Sequence, residues 1–282
     1  MLETSSAKAR SPISFAAIGV LQRYAAERAS IVVATEKARR FVKGRGYAQA
    51  PKVYERDARE IAPMLEALAK NQLSNVRYQM QKGLGADALI VNVHNDEHVS
   101  LLGLAQSSLA VRLLLDAGAN PNARSNVMML NPLTAIIKGM PRRDRVEAVD
   151  VMLRAGADPN GTSGVGAGPL DAALAKPDIA AVLLLIDAGA RVDRFAVLSM
   201  IQAHNERAHR ATGDAEQLRV YLQQAKQMVD LLVFGSEDED LRRILRDKEV
   251  SRLLRLTPEV ESLFAAHVDS APTKIPGAHV LR

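Results

Sequence analysis

Apolar residues return at helical spacing along most of this chain. Ile13, Ala16, Ala17, Val20, Leu21 and Tyr24 recur at intervals of three and four, which predicts an amphipathic helix that continues less cleanly to Phe41 and Val42. Lys43-Gly44-Arg45-Gly46 interrupts that pattern, and the stretch to Pro51 reads as a linker. Near the other end, Ser236 and Glu239 fit a capping box ahead of Leu241, Ile244 and Leu245. Thr257-Pro258-Glu259 then sets proline at the first position of a last helix. Phe195 to Gly235 has the period of two antiparallel helices, with Asp193 placed to N-cap the first. Residues after about Asp269, with Pro272 and Pro276, read as a loose tail.

Between these flanks the pattern repeats. Leu113-Leu114-Leu115-Asp116-Ala117-Gly118-Ala119-Asn120-Pro121-Asn122 is followed by Val151-Met152-Leu153-Arg154-Ala155-Gly156-Ala157-Asp158-Pro159-Asn160, then by Leu184-Leu185-Ile186-Asp187-Ala188-Gly189-Ala190-Arg191-Val192-Asp193. The Gly-Ala pairs lie 38 and 33 residues apart, and an earlier Gly85-Ala86-Asp87 lies 33 before Gly118. Each segment predicts a short helix ended by a glycine where the chain turns left-handed.

These residues resemble the ankyrin repeat, whose period is 33 and whose opening motif is Thr-Pro-Leu-His-x-Ala. Pro169-Leu170-Asp171-Ala172-Ala173 matches that opening, with Gly189 following Pro169 by 20 residues. Pro132-Leu133-Thr134 opens the preceding repeat, but Gly156 follows Pro132 by 24, an insertion of four near Pro141-Arg142-Arg143-Asp144-Arg145. His98-Val99-Ser100 takes the same place upstream, at the first turn of a helix, and a weaker repeat runs from Ala62-Pro63-Met64 through Val76 to Gly83. Ser100, Thr134 and Asp171 stand where the family has histidine, so the bonding between adjacent repeats is expected to differ. The resemblance implies helix pairs stacked into a solenoid, with fingers and first helices lining a concave surface that binds other proteins.

Composition agrees with a helical class. Of 282 residues, 48% are hydrophobic but only 4% aromatic, with no Trp, so the core must come from Leu, Ile, Val, Met and Ala. No uncharged apolar run reaches the roughly 18–20 residues of a membrane span. Zero cysteines exclude disulfides, thiolate metal sites and thiol nucleophiles, and fit a reducing compartment. Arg exceeds Lys and Ala is abundant, a bias associated with GC-rich bacterial genomes. Charge is uneven. Residues 1–60 carry 12 Lys/Arg against 6 Asp/Glu, a net of +6, and the other 222 sum to −1. That basic segment reads first as a solvated helix face and second as a surface for nucleic acid or anionic lipid. Lys8 and Arg10 precede the apolar stretch Ile13 to Leu21, but no small-residue cleavage pattern follows it directly.

Little in the chain looks catalytic. His94-Asn95-Asp96-Glu97-His98 matches His-x-x-Glu-His, a zinc pattern that needs both imidazoles on one helix face. The repeat register puts His94 in a finger and His98 at the start of the next helix, so the match reads as coincidence. His204 and His209 are about 140° apart on a helix and read as surface residues. Gly161 to Gly168 lacks the Lys-Ser/Thr ending of a phosphate loop and reads as a finger.

The sequence thus predicts an all-α ankyrin-repeat solenoid with helical extensions at both ends. Its divisions are a basic helical extension over 1–54, a repeat domain over 55–235 with a degenerate last repeat, a helical cap over 236–268 and a flexible tail over 269–282. No enzyme, cofactor or metal is expected. The expected role is an adaptor, inhibitor or host-directed effector that binds another protein, cytoplasmic or secreted as an effector, with nucleic acid disfavoured. Its contact residues are placed in the first full finger, at Arg124, Asn126, Met128 and Met129, then at Lys138 and in the basic insertion at Arg142 and Arg143, with Arg145 added to the rim. Adaptable methionines in an exposed loop suit such a surface. Binding of nucleic acid or an anionic surface through the N-terminal helix is the alternative, and a zinc hydrolase the third reading.

Overall fold

The computed structural model describes residues 30–34, 54–87, 89–92, 98–123, 131–161, 168–211 and 213–268. Four helices in it end on a glycine with positive φ: Gly83 at 99°, Gly118 at 90°, Gly156 at 84° and Gly189 at 87°. The closing bonds repeat as well. Gly118 N–H donates to Leu115 O at 2.9 Å and Ala119 N–H to Leu114 O at 2.9 Å, and the same pair recurs at Gly156 and Gly189. These are the bonds that satisfy the last carbonyls of a helix once a left-handed residue follows it. The chain divides into two compact units, Met1–Pro169 and Leu170–Arg282.

The first unit runs β1 (Ser30–Ala34), β2 (Tyr54–Asp57), α1 (Ala58–Ala69), α2 (Leu73–Gln81), β3 (Leu89–Asn92), β4 (His98–Ser100), a 3-10 turn (Leu102–Leu104), α3 (Ser108–Asp116), α4 (Pro132–Gly139) and α5 (Arg142–Arg154). In the second unit are α6 (Pro169–Ala175, all but its first residue), α7 (Ile179–Asp187), α8 (Arg194–Arg210), α9 (Ala215–Phe234), α10 (Asp238–Leu245), α11 (Lys248–Arg255) and α12 (Pro258–Val268). Short helices of seven to nine residues are marginal alone, so their stability comes from packing an apolar face.

The repeat is written into that face. Counting back from each terminal glycine, the eighth residue is Ala110, Ala148 or Ala181, and the seventh is Val111, Val149 or Val182. The fourth is Leu114, Met152 or Leu185, and all nine side chains are fully buried. Alanine lets helices approach closely, and the spacing of one, three and four puts the three positions on one stripe. Val76 stands in the same relation to Gly83 and is equally buried. The earliest repeat ends its helix at Gly83, where the reading through Val76 puts it, two residues ahead of the Gly85 picked out by the Gly-Ala spacing. Leu84 and Gly85 are a two-residue insertion, after which Ala86 and Asp87 resume the register of Ala119 and Asn120. The longer loop leaves the helix cap untouched.

A small sheet departs from the helical expectation. β1 pairs antiparallel with both β2 and β3, and β3 with β4, giving the order β2-β1-β3-β4. Residues 30–34, read above as a continuing helix, carry Ile31-Val32-Val33, and three successive β-branched side chains crowd a helix but suit a strand. Leu89-Ile90-Val91 opposes them in register, with Val32 across from Val91. His98-Val99-Ser100, expected at the start of a helix, is strand β4, and the first helix of that pair is reduced to the 3-10 turn. The amphipathic stretch Ile13 to Tyr24 and the tail after residue 268 lie outside the described residues.

Capping expectations fare unevenly. Asp193 accepts from Ala196 N–H at 3.0 Å and caps α8, and proline opens α12, as the spacing predicts. Ser236 does not cap α10; its hydroxyl donates back to Leu232 O at 2.7 Å, and Glu237 holds the N-cap position without a side-chain bond.

The terminal glycines carry a testable cost. A Cβ at Gly156 meets nothing within 4 Å, so only the backbone conformation resists substitution. Gly156→Ala is expected to lose about 1–2 kcal/mol of stability in a urea titration. Gly156→Asn should lose less, because asparagine tolerates the left-handed region. An alanine variant as stable as the parent would contradict the assigned backbone.

Candidate functional site

The loop joining α3 to α4 is held by its own asparagines. Asp87 Oδ1 accepts from Asn120 N–H at 3.0 Å, and Asn120 Oδ1 accepts from Asn122 N–H at 2.9 Å. Asn122 reaches into the next repeat twice, donating Nδ2–H to Gly156 O at 2.8 Å and accepting from Asp158 N–H at 2.7 Å. Asp158 Oδ1 then accepts from Asn160 N–H at 2.8 Å. At the far end of the loop Asn131 caps α4, accepting from Thr134 N–H at 2.7 Å, and donates Nδ2–H to Gly161 O. Both stems are thereby tied to the neighbouring repeat. Asn or Asp stands two and four residues after both Gly118 and Gly156, and that recurrence in the sequence is the signal that would have found this ladder.

Arg124, Asn126, Met128 and Met129 sit between those stems, in the stretch 124–130 outside the described residues. The other sequence-predicted contact residues are placed. Lys138 is half-buried in the last turn of α4, while Arg142 and Arg143 are exposed in the first turn of α5. Arg143 pairs with Asp144 at 3.0 Å, and with 86% of the Arg143 side chain exposed the pair is worth at most about 1 kcal/mol. The eight residues of α4 span about 12 Å, so Asn131 and the loop stem lie at one end of the helix and Arg142 and Arg143 beyond the other. The basic insertion is thus separated from the loop by a helix length.

Arg145 corrects the sequence reading. It is 7% exposed, not part of a basic rim. Its Nη2–H and Nε–H donate to Met140 O at 3.0 and 3.3 Å, closing the turn between α4 and α5. The reason is its position in α5: residues 145, 148, 149 and 152 share the face that carries Ala148, Val149 and Met152 into the core.

The residues that replace the motif histidine do not behave alike. Ser100 Oγ accepts from Leu102 N–H at 3.2 Å. Asp171 is buried and partnered. Thr134 Oγ1 is buried with no hydrogen-bond partner among the described residues. The backbone of His98, the second histidine of the zinc-like motif, pairs in register with Val91 in the β3–β4 ladder, and His94 falls outside the described residues. Among the described residues no group of three or more His, Asp or Glu side chains could hold a metal ion. Nor is any described helix long and apolar enough to cross a membrane.

In the second unit, His204 is not the surface residue its spacing suggested. It is half-buried in a shallow crevice between α8 and α9, floored by Leu174, Met200 and Met228 and edged by Arg207, Tyr221 and Gln224. Arg207 lies 5.4 Å from the Tyr221 ring centre and donates to Gln224 Oε1 at 2.7 Å. Burial pushes the His204 pKa below its ordinary value; Arg207 pushes the same way, while Glu259 and a hydrogen bond with the Tyr221 backbone partly oppose it. A depressed folded-state pKa means that the unfolded chain binds the proton more readily. Stability from this group is therefore full above the unfolded value near 6.5 and is lost as pH falls through the lower folded value. The thermal midpoint is expected to drop across that window, and to drop less in His204→Gln. Equal acid sensitivity in the two proteins would refute the assignment.

No protein-family model and no curated protein sequence matches the chain. Among solved structures it is similar to an ankyrin repeat domain from Acinetobacter baumannii, with a TM-score of 0.51 and 20% identity over 72% of this chain and 96% of that one. At that identity the likeness concerns the fold.

Proposed function

Starting from an ankyrin-repeat fold, we propose that this chain is a protein–protein interaction module whose partner is held by the loop carrying Arg124, Asn126, Met128 and Met129 and by the adjoining side of α4 at Lys138. The observation that supports this reading is the asparagine ladder, in which Asn122 and Asn131 fasten both stems of the loop to the following repeat. A loop held at its stems can vary its sequence without disturbing the core, which is how binding residues are commonly presented. Arg142 and Arg143, at the other end of α4, belong to the proposal as an outer contact reached only by a partner that spans the helix.

The reading assigns the chain no catalytic step. Its role is that of an adaptor, inhibitor or effector acting in the cytoplasm or in a host cell. The arginine and alanine bias, together with the bacterial source of the similar domain, supports a bacterial origin.

The test compares the parent with Arg124→Glu/Met128→Ala/Met129→Ala as bait for affinity capture from a source lysate, read by mass spectrometry. The triple variant is expected to lose the captured protein, at least about a tenfold drop in affinity, because hot-spot residues carry most of an interface's energy. The far-ultraviolet circular dichroism of the two should coincide. Unchanged capture would move the site away from this loop.

A further inference from the structure

The formal charge of the chain outside its first 60 residues is near zero, but that average conceals a concentrated field. Residues 242–255 carry six cations, Arg242, Arg243, Arg246, Lys248, Arg252 and Arg255, against Asp247 and Glu249. All six cationic side chains are exposed. On α11, Lys248, Arg252 and Arg255 occupy positions i, i+4 and i+7 and so form one line. The buried Val250 and Leu254 lie on the opposite face. Leu256 extends the line by one residue in helical conformation and is 71% exposed, the highest among the large apolar side chains of the described residues. Exposed Arg243 near the end of α10 and exposed Arg246 just after it add to the line across the Asp247 turn.

The carboxylates within the segment do not neutralise it. Asp247 accepts from Glu249 N–H at 3.0 Å and Val250 N–H at 3.3 Å as the cap of α11, and its other oxygen pairs with Arg194 at 3.4 Å. Arg243, Arg246, Lys248, Arg252 and Arg255 form no ion pair with a carboxylate among the described residues. The patch is also short. Exposed Glu237, Glu239 and Asp240 precede it, and exposed Glu259 and Glu261 follow it. A long polyanion laid along this face would meet like charge at both ends. A lipid surface would find a single apolar anchor, because the apolar face of α11 is spent on the core. An acidic stretch of a few residues fits between the limits, with its forked contacts made by arginine.

We propose that the exposed face of α10 and α11, carrying Arg243, Arg246, Lys248, Arg252 and Arg255 beside Leu256, docks a short acidic segment of a protein partner that also bears an aliphatic side chain. This surface is independent of the α3–α4 loop, and either assignment can fail without the other.

Fluorescence anisotropy of the full chain tests it, using a short labelled peptide of glutamates with one leucine, a thymidylate oligomer of equal length, and vesicles containing phosphatidylserine. The peptide is expected to bind saturably and more weakly as salt rises. Arg246→Glu/Arg252→Glu/Arg255→Glu should weaken it by at least roughly tenfold with its circular dichroism unchanged, since reversed charge also repels the ligand. The corresponding Gln variant should lose less and carries the measurement if the Glu variant unfolds. Leu256→Ala should weaken binding a few fold without altering its salt dependence, and the loop variant Arg124→Glu/Met128→Ala/Met129→Ala should bind the peptide as the parent does. The proposal is overturned by absence of saturable peptide binding, by binding indifferent to both charge variants, or by tighter binding of the oligonucleotide or the vesicles through the same arginines.

Discussion

Leu114→Ala is expected to destabilise the first unit by about 2–5 kcal/mol, the range of buried leucine truncations. Leu114 is wholly inaccessible on α3, which packs against α5, and it occupies the place that Met152 and Leu185 hold in the next two repeats. Truncation removes three methylene-sized groups from a stripe whose neighbours Ala110 and Val111 are too small to close the gap. Leu114→Met should cost under about 1.5 kcal/mol, because volume is conserved and a methionine already serves at the equivalent position. Urea unfolding reads both. A loss under about 1 kcal/mol for the alanine variant would mean that this position is not part of the repeat core.

Arg145→Ala is the second large effect. The guanidinium reaches Met140 O with two N–H groups, inside a turn where Met140 is itself buried. Removing it leaves that carbonyl without these donors, a loss of about 1–3 kcal/mol, and opens space where the side-chain stem had packed. Arg145→Met separates the two contributions, since it refills the space and omits the hydrogen bonds. The methionine variant should recover part of the loss in a thermal or urea melt. Equal losses for the two would assign the whole effect to the bonds, and no loss in either would show that the turn closes without them. The effect should be insensitive to salt, unlike that of the exposed Arg143–Asp144 pair.

The repeat was legible because its period is carried by residues with few substitutes. A left-handed helix end demands glycine, and a close helix contact demands alanine at the eighth position before it, so Gly118, Gly156 and Gly189 could be aligned from sequence alone. Gly85 and Gly83 both offered an end for the earliest repeat, because Ala86-Asp87 after the loop kept the register of Ala119-Asn120 while the glycine that caps the helix lay two residues earlier. The sheet was hidden because its strands are three to five residues long and each is too short to declare a period of two. Arg145 was misread because a run of charges looks like surface, whereas α5 begins inside that run and turns one of its members inward. The cation line on α10 and α11 was lost in a net charge summed over 222 residues.

Asn122 has a further consequence for how the first unit comes apart. A solenoid behaves as a row of units in which each gains stability from itself and from the join to its neighbour. Most joins are apolar contacts that weaken gradually as repeats separate. The carboxamide of Asn122 is different, because one side chain accepts from Asp158 and donates to Gly156 at once, and both bonds require the two loops to keep one spacing. Such a latch couples the opening of the end of one repeat to that of the next by about the worth of two hydrogen bonds. Cooperativity between these two repeats thus rests in part on an exposed polar side chain outside their shared core.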